Sequence, residues 1–517
     1  MRISDMSIRE KVLQTVVARI NRNKAIKENV GGAFFFGEII TEADETGLED
    51  ARKLLKEYID NAKIPVLITS DFENGCGSML KGLTTLPYLM SLGATNSEKL
   101  AYDYGKATAI EARSMGANWS FSPVVDINLN KRNPIVNVRS ISDNPELAIK
   151  LLKQVIRGMQ DNGLAACAKH FPGDGIDWRD QHLVTTQNTL SLKDWKEYSG
   201  RVFQEVIDDG VYSIMAGHIT LPEYQKEIFG NGLKLPATLS SELVSNLLKN
   251  EMGFKGVVVT DALDMGGFNG WYPTKERGEI ESFRAGCDMM LWPTDNYVDN
   301  MIDAIENKYI SEDRLDDAVS RILNMKDKLG LFERDNHPIK ISKADRCFID
   351  NVQREVADNS ITLIKDKINV FPLSTKKYNN IAVVPITHYN PALEEAQRLC
   401  DEISKRGINT TCYPDGIDED AFENSDLVIY ALFSRPFRPI GFLDFHSMEA
   451  VKIQKSLQSG VEKSLVVSFG SPYFGEQYFE RSLAYVNAYT MLQPSVEAFV
   501  RAAFGEIEFT SFSPVEL

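Results

Sequence analysis

Long apolar runs are missing from this chain: no stretch approaches the roughly 18 consecutive apolar residues of a membrane-crossing helix. Cysteine is scattered and sparse. Cys76, Cys167, Cys287, Cys347, Cys400 and Cys412 form no Cys-x-x-Cys pair, and no histidine stands at zinc-site spacing. That argues against a disulfide framework or a structural zinc and reads as free thiols in a reducing compartment. Basic charge is in deficit, with 57 Lys+Arg against 73 Asp+Glu and a net charge of −16. Such a balance repels polyphosphates and anionic surfaces, so neither nucleic acid nor membrane is an expected partner. The start, Met1-Arg-Ile-Ser-Asp-Met6 followed by Arg9, Glu10 and Lys11, lacks the apolar segment of a secretory signal, and a cytoplasmic protein is expected. There is no internal repeat and no low-complexity tract.

What is present is a regular alternation. Apolar runs at Gly32–Phe36, Pro65–Thr69, Trp119–Val125, Ala165–Ala168, Tyr212–Ala216, Gly256–Thr260 and Asp288–Trp292 are separated by amphipathic stretches. Continuous apolar runs are what strands buried on both faces look like, and strands alternating with helices build parallel sheets. Seven or eight such units within residues 1–335 predict a (β/α)8-type TIM barrel, the catalytic domain. Residues 336–360 are expected to be a linker and helix. Residues 361–517 alternate again, with runs at Asn380–Ile386, Ile408–Tyr413, Leu427–Phe433, Leu465–Gly470 and Leu483–Tyr489. Five strands in so short a span predict a smaller doubly wound α/β sandwich domain. The whole is an α/β protein of two domains.

The ends of the first-domain runs carry the chemistry. Asp71 follows PVLITS, Asp126 follows SPVV, Lys169-His170 follow AACA, His218 follows IMAG, and Asp261 follows VVVT. In a barrel these C-terminal strand ends open onto one face. One ionisable residue at the end of an apolar run is unremarkable. Five in succession point to a site, because each would otherwise carry a desolvation cost.

The densest stretch, Lys169-His-Phe-Pro-Gly-Asp-Gly-Ile-Asp-Trp-Arg-Asp-Gln-His182, runs from a strand end into a loop loosened by Gly173 and Gly175. Asp180 and His182 stand two apart, so on an extended loop their side chains can meet. A carboxylate on one imidazole nitrogen leaves the other to move protons; a solvated loop in which they never touch is the plain alternative. Asp261 is a nucleophile or an ion-stabiliser at the barrel mouth, or else a helix N-cap. Asp264 reads as a cap or structural partner. Asp71 binds sugar hydroxyls or satisfies loop amides, and Arg139 clamps a polar substrate or forms a structural ion pair. Asp126 leans to structural hydrogen bonding and His218 stays open. Trp178 is a weak stacking candidate, Met289-Met290 are core, and Asp415–Asp420 is a solvated acidic loop.

On these residues the sequence resembles glycoside hydrolase family 3, in its β-N-acetylglucosaminidase branch and two-domain form. The segments that carry the likeness are Lys169–Gly175 with Asp180-Gln181-His182, Pro236–Ser240, Gly253–Asp261, and Asn133-Pro134 with Arg139-Ser140; Ala285–Asp288 and Phe504–Glu506 are weaker echoes. The chain departs at Asp174, where His or Arg is common; at Gln181, where Ser is usual; and after Asp71, where Met79 and Lys81 replace an arginine.

The resemblance implies a barrel followed by an α/β sandwich, with Asp261 as nucleophile and His182 as acid/base oriented by Asp180. It implies sugar contacts from Asp71, Arg139, Lys169 and His170, to which we add His218 at the mouth. It implies a substrate with a terminal non-reducing β-linked N-acetylglucosamine, and no metal or organic cofactor. Three alternatives stand beside it. The first is a phosphorylase using the same site. The second is a β-glucosidase-like hydrolase whose acid, Glu476 for instance, comes from the second domain. The third is a sugar-binding protein without turnover.

Overall fold

Among the described residues, eight short parallel strands follow one another around a ring: β1 (Val16–Arg19), β2 (Gly32–Phe34), β3 (Leu67–Ser70), β4 (Trp119–Ser120), β5 (Cys167–Phe171), β6 (Ser213–Ala216), β7 (Val257–Thr260) and β8 (Met290–Leu291). Ladders join β8-β1-β2-β3-β4 and, separately, β5-β6-β7. Single bridges at Trp119↔Ala165 and Val259↔Met289 connect the two sets and close the barrel. The computed structural model describes residues 2–20, 28–40, 44–230, 232–333, 336–387, 389–436, 440–441, 443–458 and 462–517.

Within each strand, neighbouring residues serve different cores. Val17, Phe34, Leu67, Trp119, Cys167, Val257 and Val259 fill the barrel interior. Ala33, Phe35, Ile68, Ala168, Ile214 and Val258 face outward onto the helical layer. Side chains alternate across a strand, so burial on both sides demands an unbroken apolar run. Helices Glu45–Asp60, Glu98–Ser114, Pro145–Gln160, Lys275–Ala285, Tyr297–Glu306 and Glu312–Lys328 contribute to that layer.

The expected strand at 119–125 is only two residues long, and its partner at 165–168 starts and ends later, at Cys167–Phe171. β1 is a strand the sequence reading did not separate from its surroundings. It follows helix Ile8–Gln14 across a single residue, so Val16 and Val17 continue the helical spacing of Val12 and Leu13.

Helix Lys343–Asp358 changes partners along its length. Ile349, Val352 and Val356 belong to the barrel's outer core, whereas Ala357 begins the next one. Arg334 and the expected boundary at residue 335 lie outside the described residues. The second sheet contains β9 (Thr362–Asp366), β10 (Asn380–Ile386), β11 (Asn409–Cys412), β12 (Leu427–Phe433), β13 (Ser464–Phe469) and β14 (Ala484–Asn487), in the spatial order β9-β14-β13-β12-β10-β11. Every pairing is parallel except that of the edge strand β9 with β14. Ile381, Val383 and Ile429 pack on one face, with helices Ala392–Ser404 and Gln493–Ala503. Ala382, Val384 and Tyr430 pack on the other, with Phe474 and Phe479. Helices on both faces make the sheet doubly wound, as expected.

Candidate active site

Past the end of β3, the extended segment Asp71-Phe72-Glu73 sends Phe72 into the outer core and both carboxylates toward the barrel mouth. Lys169 Nζ lies 2.7 Å from Asp71 Oδ1 and 2.7 Å from Glu73 Oε1. Glu73 in turn accepts from Arg139 Nε at 2.7 Å and Nη2 at 2.8 Å. Arg139 Nη1 donates to the Ile135 carbonyl at 2.8 Å. Two cations and two carboxylates therefore cancel, which such burial requires: Lys169 is 2% and Arg139 4% exposed. Burial alone would lower the Arg139 pKa, but Glu73 more than offsets it and the guanidinium is held in its charged form. Of the two readings of Arg139, the ion pair is realised.

β5 departs from regular pairing between Ala168 and Phe171. Such an irregularity re-aims side chains, and here Lys169 and the next residue, His170, both reach the mouth. His170 Nδ1 lies 2.7 Å from Asp126 Oδ2, and its Nε2 lies 4.0 Å from Asp261 Oδ2. Asp126 is 1% exposed and also accepts from the His170 and Asp174 main-chain N–H groups, at 3.0 and 2.8 Å. It is the hydrogen-bonding strut the sequence suggested. The chain then turns sharply. Gly173 and Gly175 have φ of +118° and +92°, and a Cβ on Gly175 would meet the Ile127 carbonyl oxygen at 2.3 Å. Between them Asp174 is buried, with its carboxyl pushed up to about 7 by burial and by Asp126.

Asp261 caps no helix. It directly follows β7, and its Oδ1 accepts from the Ala262 N–H at 2.8 Å. Burial pushes its pKa up, but His170, His218, His182 and Lys169 together outweigh that, holding the carboxyl below the ordinary range. A buried carboxylate kept ionised by surrounding cations and imidazoles is chemically a nucleophile or an ion-stabiliser.

Asp180 and His182 do meet: His182 Nδ1 lies 2.6 Å from Asp180 Oδ1, which also accepts the His182 N–H at 2.9 Å. Among the described residues Nε2 of His182 is left without a hydrogen-bond partner. Burial pushes Asp180 upward, but the bond to His182 and further N–H donors bring it below the usual carboxylate range. The loop is pinned to the β7 side, since Gly266 N–H donates to the His182 carbonyl at 2.8 Å. It is pinned to the β6 side as well: Thr186–Gln187 pairs with Ile219–Thr220, and Gln181 Oε1 accepts the His218 N–H at 2.9 Å.

His218 corrects an expectation. It has no exposed surface, its Nε2 donates to the Ala262 carbonyl at 2.9 Å, and its Nδ1 lies 2.9 Å from Thr238 Oγ1. With both nitrogens engaged it offers nothing to a sugar; it braces the residue after Asp261, and burial lowers its pKa toward the neutral ring. Trp178 is 63% exposed and Asp264 is exposed. Glu476 is committed to Lys365 of β9, at 3.2 Å.

Sequence reasoning missed Glu73, Gln181 and Thr238 as site builders. For Glu73 the signal was available, because it lies two residues from Asp71 on an extended segment and so shares its side. The described residues contain no group of three or more His, Cys, Asp or Glu side chains placed to hold a metal ion. No described helix is long and apolar enough to cross a membrane.

Comparison with known proteins places this geometry in context. Residues 7–325 match the glycosyl hydrolase family 3 N-terminal domain. The chain is 31% identical over 492 residues to a β-N-acetylglucosaminidase/β-glucosidase of Cellulomonas fimi, covering 90% of this chain and 86% of that one. It is 27% identical over 485 residues to β-hexosaminidase A of Pseudoalteromonas piscicida, covering 88% and 79%. Among solved structures, β-glucoside phosphorylase BglX superimposes with a TM-score of 0.88 at 29% identity, over 99% of this chain and 95% of that one. A family 3 β-N-acetylglucosaminidase from Paenibacillus sp. str. FPU-7 gives 0.83 at 26% identity, over 99% of both chains.

Proposed function

This chain belongs to glycosyl hydrolase family 3, and from that footing we propose that it is a retaining exo-glycosidase releasing terminal β-linked N-acetylglucosamine. One observation carries the reading. A carboxylate held ionised at the end of β7 shares the barrel mouth with a histidine that has one nitrogen tied to a carboxylate and the other open. The names of the relatives from Cellulomonas fimi, a β-N-acetylglucosaminidase/β-glucosidase, and Pseudoalteromonas piscicida, a β-hexosaminidase, support the choice of sugar.

Asp261 attacks the anomeric carbon as the bond to the leaving oxygen breaks, giving a glycosyl-aspartate ester. His182, protonated on Nε2, hands that proton to the leaving oxygen. As neutral imidazole it then takes a proton from water, whose oxygen displaces Asp261. Two displacements restore the β configuration. Asp180 steadies the imidazolium, and His170 faces the reacting carboxylate. Asp71 and Lys169, with Arg139 behind them, hold sugar hydroxyls. Residues 1–335 are the catalytic unit, 336–360 the linker and helix, and 361–517 the companion. The six cysteines, none in a disulfide, support a reducing cytoplasmic setting.

The likeness to β-glucoside phosphorylase BglX favours a second reading, in which phosphate replaces water. A neutral imidazole lets an anion approach where a carboxylate base would repel it. A panel of 4-nitrophenyl glycosides, assayed with and without phosphate, tests both. Free β-sugar as first product supports hydrolysis, and sugar-1-phosphate supports phosphorolysis. No turnover on any β-glycoside removes the enzyme reading.

A further inference from the structure

The carboxylate that orients His182 is itself held from the other domain. Asp180 Oδ1 is occupied by His182, and Oδ2 accepts the main-chain N–H of Ile440 at 2.7 Å. Ile440 lies between β12 and helix Ser447–Gln458, both part of the second sheet's surroundings. Five residues on, Phe445 is buried against Phe474 and Tyr478, with ring centroids 4.7 and 5.5 Å away. The two units also meet beside the mouth. Asn128 Nδ2 donates to the Tyr473 hydroxyl at 2.9 Å, and Asn137 Nδ2 donates to Ser471 Oγ at 3.2 Å.

We propose that the Ile440 amide is a positioning group for the acid/base pair, so that the proton-transferring histidine of the barrel is aligned by the docked C-terminal domain. The proposal rests on the reading of His182 as acid/base. A carboxyl group rotates broadly about its last bond, and the ring and main-chain bonds from His182 both fall on Oδ1, which by itself does not fix the carboxylate plane. A charge-assisted bond from the Ile440 amide to Oδ2 does. Asp180 is 1% exposed, so water cannot readily replace that donor. Asp261 and His218 of the barrel interact electrostatically with His182, and the Ile440 amide reaches Asp180 from the second domain.

Ile440→Pro removes the N–H, and Ile440→Val keeps it. Each is assayed on a glycoside with a poor leaving group and on a 2,4-dinitrophenyl glycoside, which needs no acid, with His182→Ala as reference. Losing a charge-assisted hydrogen bond predicts a roughly 10- to 100-fold fall in kcat/KM for Ile440→Pro on the poor leaving group. The dinitrophenyl substrate changes by less than about threefold, and Ile440→Val stays near the parent. Should the proline variant fail to fold, an ester linkage in place of the amide, introduced with the α-hydroxy analogue of isoleucine at 440, gives the same comparison. Equal losses on both substrates, no loss, or a loss matched by Ile440→Val overturns the proposal while a leaving-group-selective His182→Ala leaves the acid/base reading standing. A His182→Ala variant that slows both substrates alike overturns that reading and the proposal with it.

Discussion

His170 turns one ring nitrogen to Asp126 at 2.7 Å and the other toward Asp261 at 4.0 Å. The imidazole therefore bridges a deeply buried carboxylate and the proposed nucleophile. Its orientation is set from the Asp126 side, and its influence is felt on the Asp261 side, where it is the largest of the effects that lower the Asp261 pKa. The arrangement favours the charged carboxylate in a place where desolvation acts against it.

His182→Ala is expected to lose about 10²–10⁴-fold on alkyl or disaccharide substrates, the usual worth of a positioned proton donor. Activated aryl glycosides should lose far less in the first step. Measuring kcat/KM across a leaving-group series checks this, and a parallel drop along the whole series would remove His182 from the acid role.

Glu73 is the hub of the buried ion network, bonded to both Arg139 and Lys169. Glu73→Gln keeps the shape and removes the charge, leaving a buried cation unbalanced. Breaking such a network costs on the order of 3–5 kcal/mol. Chemical denaturation should record that loss at neutral pH; a variant within about 0.5 kcal/mol of the parent, the usual range for surface changes, would mean water screens the network.

Much of the fold was legible because doubly buried strands read as plain apolar runs, and the stretches between them carried amphipathic spacing. β1 was hidden by continuity with the preceding helix, and β9 by its half-buried Leu-Ile-Lys-Asp pattern on a sheet edge. For the site, Asp261, Asp180 and His182 stood out as ionisable groups beyond apolar runs or in a tight loop. The role of His218 was not legible, since its partners Thr238 and Ala262 come from other loops. Nor was the reach of Ile440, because a main-chain amide leaves no mark in a sequence.

Lys326 is an internal liability. It has no exposed surface, bonds Gln14 Oε1 at 2.6 Å, and is pushed down to about 7 by burial. An unfolded lysine ionises near 10.4. Between those values the unfolded chain binds the extra proton, so stability rises with pH across that window and the penalty is complete below it. Lys326→Met should raise stability by an order of 3–5 kcal/mol at pH 6, with the gain shrinking by pH 10. Denaturation at both pH values tests this, and a pH-independent difference would contradict it.

Asp174 has the opposite sign. Its carboxyl is pushed up to about 7, and its Oδ2 is buried with no partner among the described residues. The folded state therefore binds more protons between about pH 4 and 7, and stability falls as pH rises through that range. Asp174→Asn preserves the acceptor for Asn133 Nδ2 and the Gly175 N–H. It should be more stable than the parent by roughly 2–4 kcal/mol at pH 8, with no advantage near pH 4. An Asn variant weaker than the parent at pH 8 would show the buried charge to be compensated.

The covalent step at Asp261 is open to one direct measurement. The protein is incubated with an activated fluorinated β-glycoside, whose fluorine slows the second displacement more than the first. Intact mass is then recorded, followed by fragmentation of the labelled peptide. One sugar per chain is expected, attached as an ester at Asp261 and absent from Asp261→Asn. A sugar attached to any other residue, or an enzyme that turns the substrate over with no label at all, would contradict it.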